Sequence, residues 1–327
     1  MELWEYRGKR VLVTGGCGFI GSNLVHRLVQ LGADVVVLDS FLPGGGANRH
    51  NLDGLGKKVR IVKTDLASPA AAKHINADFI FHLAAQTGHK ESLLRPFEDM
   101  DANVTATLRL LEAARQNCPD AVIVYAGTRD QYGRIQKNPV DENHPLLPTD
   151  PNCISKHAAE QYCLLYHRNH DLKSVSLRLT NIYGPRSQIR TSVQGFIGWF
   201  VNLALKGEEI AIFGDGKQLR DVLYVDDAVE AMLLAGVTKE AYGEAFNIAS
   251  GKGVPLIDIA KTIVREAGSG TIKHAPFPAE NRKIEIGDFV GDIRKAERFL
   301  KWKPRVSLAD GMRQTTAFYR TRMKEYG

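Results

Sequence analysis

Residues 14–21 read Thr-Gly-Gly-Cys-Gly-Phe-Ile-Gly, and an acid, Asp39, stands 18 positions beyond Gly21. Gly16, Gly18 and Gly21 fit the spacing of a dinucleotide fingerprint. Glycines at Gly15, Gly18 and Gly21 permit a tight turn and close approach of the backbone to a pyrophosphate. The free N–H groups of a helix starting at Phe19 and Ile20 then meet the phosphate charge with the positive end of the helix dipole. A carboxylate about 20 residues on accepts from ribose hydroxyls and repels a 2′-phosphate, so the chemistry expected is binding of NAD rather than NADP.

The flanking elements suit that purpose. Val11–Val13 is a strand-type run, Leu24, Val25, Leu28, Val29 and Leu31 recur at helical spacing, and Val35–Leu38 is a second strand ending at Asp39. Further strands are expected at Val59–Val62, Phe79–Leu83, Ala121–Val124 and Val175–Leu179, with long helices at 93–117 and about 154–170 between them. This alternation predicts an α/β fold, a doubly wound parallel-sheet Rossmann domain. After Arg186 the rhythm changes: a helix at Phe196–Leu205, a strand at Glu209–Phe213, strand character over Leu219–Val225, an acid-capped helix from Asp226 and a last helix from Ser307. The expected division is a cofactor domain over 1–183 and a smaller C-terminal substrate lobe over 184–327, with 219–249 returning to the first domain.

Of the 327 residues, 44% are apolar and 24% charged, as in an ordinary soluble protein with an ample core. The net charge of +6 is dispersed, which argues against a nucleic-acid surface but suits anionic small molecules. The four cysteines show neither disulfide spacing nor metal-ligand pairing, so a reducing cytoplasm and no metal are expected. His82, His89 and His157 lie in or near the motifs and read as structural. The opening residues do not form a signal peptide, and no run of about 20 apolar residues is available to span a membrane.

The chain resembles the extended short-chain dehydrogenase/reductase family, specifically its nucleotide-sugar epimerases and dehydratases, of the UDP-glucose 4-epimerase type. The likeness spans nearly the whole length. It is carried by TGGCGFIG (14–21), Asp39, Asp65-Leu66, HLAAQ (82–86), Asn103, GTRDQYG (127–133), Ser155-Lys156, RLTNIYGPR (178–186), FGDGKQLRDVLYVDD (213–227) and KWKP (301–304). The resemblance implies that Ser40 joins Asp39 at the ribose and that Asp65 and Leu66 flank the adenine. Leu83, Ala84 and Ala85 would then pass close to the cofactor, while Asn103 and Lys156 hold the nicotinamide side. On the substrate side it implies Gln86, Thr128, Asn181 and Arg186, with Arg220 and Arg282 neutralising a diphosphate. Asp226 and Asp227 read as helix caps.

One position departs from the family. Its catalytic pair is a tyrosine followed four residues later by a lysine, which lowers the phenol's pKa so that it can exchange a proton with a sugar hydroxyl. Here Lys156 is present but the tyrosine's place holds Asn152, and an amide is no base at neutral pH. In the companion loop Thr128 keeps the hydroxyl that meets the sugar's reacting oxygen. Arg129 and Asp130 stand where dehydratases carry acids. The expectation is that Thr128, Asp130 and Lys156 share the acid–base work, with Asp130 taking the proton, and that Asn152→Tyr leaves activity unchanged or raises it.

The function expected is NAD-dependent epimerisation of a nucleotide-diphosphate sugar through a transient 4-keto intermediate. A 4,6-dehydratase or uronate decarboxylase on the same scaffold, or a non-catalytic NAD- or sugar-nucleotide-binding protein, are the alternatives. A homodimer is expected through the helices at 93–117 and 154–170, which are apolar over more than one stripe.

Overall fold

The strand-type runs do become strands in the computed structural model, which describes residues 3–42, 45–193, 195–276 and 287–327. They are β1 (Arg10–Thr14), β2 (Asp34–Asp39), β3 (Val59–Lys63), β4 (Phe79–His82), β5 (Val122–Thr128) and β6 (Lys173–Leu179). Short strands β7 (Asn181–Tyr183), β8 (Glu209–Phe213), β9 (Leu219–Tyr224), β10 (Ala245–Ile248), β11 (Gly253–Pro255) and β12 (Thr271–Ala275) follow. The main sheet has the order β10-β6-β5-β4-β1-β2-β3, and every neighbouring pair in it is parallel. The strand order reverses between β1 and β4, and the crevice at the carboxyl ends of these strands is where an open sheet of this kind binds ligands.

Strands buried on both faces read as near-continuous apolar runs, and the central strands β1, β2, β4 and β5 do so over most of their length. Val11, Val13, Val35, Val37, Phe81 and Val124 face one way, against Leu24, Val25 and Leu28 of α1 (Phe19–Gln30). Leu12, Leu38, Ile80 and Ile123 face the other way, in one core with Leu110, Leu111, Ala159 and Cys163. The expected helix over 93–117 is instead divided. α2 (His89–Leu94) stops at Arg95, whose φ of −136° and ψ of 64° are non-helical. Pro96 is the reason, because its ring excludes the helical region for the residue before it. The chain restarts as α3 (Pro96–Met100) and runs through a wider π-helical turn at Asp101–Thr105 into α4 (Ala106–Asn117).

α5 (Pro151–His170) begins with proline at its first position, and Asp150 caps it by accepting from Cys153 N at 3.0 Å. A buried ion pair holds α5 to β6: Arg178 Nη2 lies 2.7 Å from Glu160 Oε1. Gln131 and Ser176 also donate to Glu160, and Arg178 donates to Tyr132 Oη, so the loop after β5 is tied to the same point. Later come α6 (Phe196–Leu205), α7 (Val225–Val237), α8 (Leu256–Ala267), α9 (Arg294–Phe299) and α10 (Leu308–Arg320). Two small sheets, β11-β9-β7 and β12-β8, lie outside the main one.

Candidate active site

Glycine chemistry decides the turn after β1. Gly15 has φ +68°, and a Cβ there would sit 2.8 Å from Ala84 N. A Cβ on Gly21 would lie 2.3 Å from the Gly15 carbonyl oxygen, so α1 can start this close to the turn only without a side chain. Gly18 caps α1, leaving the first-turn N–H groups of Phe19 and Ile20 without helical partners. Asp39, buried at the end of β2, accepts from Cys17 N and Phe41 N, both at 3.0 Å. Burial raises its pKa and the two N–H bonds work against that. Each oxygen keeps capacity for a second donor.

A hydrogen-bond chain sets the loop after β4. Leu83 N and Ala84 N both donate to Thr14 Oγ1, which lies 2.8 Å from His82 Nδ1. His82 Nε2 is 2.9 Å from Thr107 Oγ1, whose hydroxyl donates to the Asn103 carbonyl. Only one tautomer satisfies this chain, with the proton on Nε2 and the Thr14 hydroxyl donating to Nδ1. Burial lowers the His82 pKa to about 3, so the ring is neutral and structural, as its sequence context suggests.

The residues singled out for chemistry converge beyond β5. Lys156 is buried, with Nζ 3.5 Å from the Ala126 carbonyl oxygen. Burial lowers its pKa to about 8, opposed by the Asp99 carboxylate. Asn152 is also buried, and its amide N–H₂ reaches Asp99 Oδ1 at 2.8 Å, the Gln86 carbonyl at 2.9 Å and Gln86 Oε1 at 3.1 Å. It is a knot between the β4 loop and α3. Gln86 in turn accepts from Gly88 N and donates to Gly88 O, so its side chain braces its own loop. The Tyr125 phenol is no substitute base, since complete burial pushes its pKa far up.

Asp130 is less basic than the sequence suggests. Thr128 Oγ1 donates to Asp130 Oδ2 at 2.8 Å, and Arg129 Nε lies 3.1 Å from Oδ1. Burial works to raise the Asp130 pKa, but Arg129, His89 and the Thr128 hydroxyl together hold it below the ordinary carboxylate range. His89, which the sequence context reads as structural, stands in the same cluster. Its Nδ1 is 2.9 Å from Asp150 Oδ2 and its Nε2 is 3.7 Å from Asp130 Oδ2. Cys153 Sγ is 3.3 Å from Asp150 Oδ2 and 3.9 Å from His89 Nδ1, so the thiol borders the same carboxylate.

Other expected residues are distributed more widely. Asp65 Oδ1 accepts from Ala67 N, and Leu66 is buried beside it. Ser40, Leu83, Ala84 and Ala85 are half-buried along the carboxyl edge. Asn103 Nδ2 donates to Asp99 Oδ1, while Asn103 Oδ1 and Asp99 Oδ2 are buried with no hydrogen-bond partner. Asn181 Nδ2 donates to the Asp221 carbonyl, and Arg220 Nη1 to the carbonyls of Leu219 and Gly287. Arg186 has partners of its own. Its guanidinium is committed to Asn23 Oδ1 at 2.8 Å and lies over the Phe318 ring, joining α1 to α10. Arg282 lies outside the described residues.

A model of the NAD-dependent epimerase/dehydratase family matches residues 11–249. The chain belongs to that family. It is 34% identical over 320 residues to UDP-glucose 4-epimerase of Mycolicibacterium smegmatis, covering 96% of this chain and 99% of that one. It is 32% identical over 335 residues to CDP-paratose 2-epimerase of Salmonella typhi, covering 93% and 97%. The crystal structure of Thermus thermophilus UDP-glucose 4-epimerase in complex with NAD is similar with a TM-score of 0.85 and 30% identity, covering 96% and 99%.

The residues present fit the family's cofactor. Gly15 and Gly21 shape a turn that a Cβ would fill, Phe19 and Ile20 offer N–H groups, and Asp39 ends β2 with acceptor capacity to spare. The unpartnered Asn103 Oδ1 is an acceptor that a carboxamide N–H of nicotinamide type would satisfy. Among the described residues no helix is long and apolar enough to cross a membrane.

Proposed function

We propose that this enzyme epimerises a hexose carried on a nucleoside diphosphate, by oxidising one sugar hydroxyl and restoring it with the opposite configuration. NAD, when bound, takes up and returns the hydride. The observation that carries the reading is the buried Lys156 beside the β5 carboxyl end, with the cofactor turn formed at the carboxyl end of β1, one strand beyond β4 in the same sheet. A lysine whose charge is poorly solvated favours a developing alkoxide and a ribose hydroxyl more than an exposed one would. The names of the relatives supply the substrate class. Arg220 and Arg282 would meet the diphosphate, and Asn181 the phosphate nearer the sugar.

Epimerisation is favoured over dehydration by the state of Asp130. A dehydratase needs an acid to protonate the departing hydroxyl, whereas Arg129, His89 and Thr128 hold Asp130 ionised. The test is incubation with UDP-glucose, UDP-N-acetylglucosamine and CDP-paratose, with products read by mass and NMR. An isomer of unchanged mass supports the reading. Loss of water or carbon dioxide, or no conversion of any of the three, overturns it.

The enzyme is read as a homodimer. Leu93, Leu94 and Phe97 are 55%, 81% and 77% exposed, and Ile154 on α5 is 57% exposed. Such an apolar face next to the helix pair is suited to a second copy of itself. Its four free thiols suit a reducing cytoplasm.

A further inference from the structure

We propose that His89 is the acid–base residue of this enzyme, standing in for the absent tyrosine. This rests on the epimerase reading above. Three positions support it together. Asn152, where the family has its phenol, has its amide N–H₂ consumed by Asp99 and Gln86, and an amide is no base at neutral pH. Asp150, one residue before the helix-starting proline, uses Oδ1 to cap α5 and turns Oδ2 to His89 Nδ1 at 2.9 Å. Gln86, pinned to Gly88 and bound by Asn152, fixes the backbone that presents His89.

The geometry assigns the ring atoms. An ionised Asp150 can only accept, so Nδ1 carries a proton in both charge states and Nε2 is the atom that titrates. Nε2 lies 3.7 Å from Asp130 Oδ2, beyond hydrogen-bond reach, and the ring is 35% exposed, so Nε2 is open to a ligand. The pair has the logic of an aspartate-oriented histidine base. Oxidation of the sugar C–OH to C=O, for which the bound cofactor would supply the two-electron acceptor, requires the hydroxyl to lose a proton, and His89 Nε2 is the atom that would receive it. The imidazolium so formed lies between Asp130 and Asp150. On reduction of the carbonyl, Nε2 would give the same proton back to the oxygen.

The groups facing the ring are Asp130 and Arg129 after β5, and Asp150 and Cys153 at the start of α5. Burial lowers the His89 pKa and Arg129 opposes protonation, but the Asp150 hydrogen bond and the two carboxylates outweigh them and raise it to about 8. The base form therefore gains with pH up to that value.

His89→Gln, which keeps an amide near Asp150, should lower kcat by roughly 100-fold or more while NAD still binds. Wild-type kcat/KM should rise with pH to a limb near 8 that Asp150→Asn, altering a positioning residue, shifts downward. Carbon NMR of histidine-labelled, cofactor-free protein gives a readout apart from turnover, with His89 assigned by its loss in His89→Gln. A midpoint near 8 that falls in Asp150→Asn is expected, and a midpoint at or below the ordinary histidine value overturns the assignment. So does His89→Gln activity within about threefold of wild type. Wild type inert towards all three sugar nucleotides would refute the epimerase reading itself, and the titration would still decide the state of His89.

Discussion

The charged His89 ring should stabilise the fold, and only below a definite pH. Its folded pKa, about 8, lies above the ordinary 6.5. The stabilisation is thus fully present below pH 6.5 and is lost as pH rises through about 8. A shift of that size corresponds to about 2 kcal/mol for a fully enclosed group. The ring is 35% exposed, so solvent screening reduces this to about 1 kcal/mol. Lys156 works with the opposite sign in a neighbouring window. Its pKa is lowered by burial from 10.5 to about 8, so its penalty is full below that value and is relieved as pH climbs. The whole-protein curve therefore mixes the two, and the comparison must be a difference. Urea midpoints of cofactor-free wild type and His89→Gln should be measured from about pH 6 to about pH 9. The wild type should lead by about 1 kcal/mol at the acid end and converge with the variant at the alkaline end. A gap that stays constant or widens with pH would refute the reasoning, because the ring would then not be gaining charge partners on folding.

Other perturbations follow from single contacts. Arg178→Met leaves the buried Glu160 carboxylate unpaired and should cost about 3–5 kcal/mol in denaturation, much of it recovered by adding Glu160→Leu. Asp39→Ala should weaken NAD by about 1.5–3 kcal/mol in calorimetry, since it removes ribose acceptors and also frees the Cys17 and Phe41 N–H groups that shape the turn. Leu94→Glu with Phe97→Glu should yield a 36.2 kDa monomer by light scattering where wild type gives twice that mass. Asn152→Tyr, expected from sequence to be harmless, should instead impair folding and activity. It removes the donor to Asp99 and forces a larger ring into a buried position. Thermal melts compared with wild type check this.

The sequence carried the β1–α1–β2 unit because each signal there is local: glycines, a helical apolar stripe and an acid within thirty residues. The parallel sheet was legible for the same reason, since strands buried on both faces are continuous apolar runs. Arg95 broke the expected helix through Pro96, a local signal that the apolar pattern on either side overrode in the reading. The chemistry of His89 was invisible because its partners Asp130 and Asp150 lie 41 and 61 positions away and meet it only when the sheet forms. One clue was present all along. Asn152 removes a base, and Asp150 adds a carboxylate two residues before it, so the site had reason to contain another titrating ring. Arg186 likewise meets Asn23 and Phe318, 163 and 132 positions away, contacts that no local pattern announces.

The account holds that the sugar carbon loses a hydride and regains that same hydride, while only the oxygen exchanges a proton with His89. Conversion of UDP-glucose in deuterium oxide tests this directly. The epimeric product should carry no carbon-bound deuterium by NMR, and the enzyme should retain its full complement of NAD after many turnovers. Deuterium at the inverted carbon would mean that inversion proceeds by removal and return of a proton at carbon, and would contradict the account.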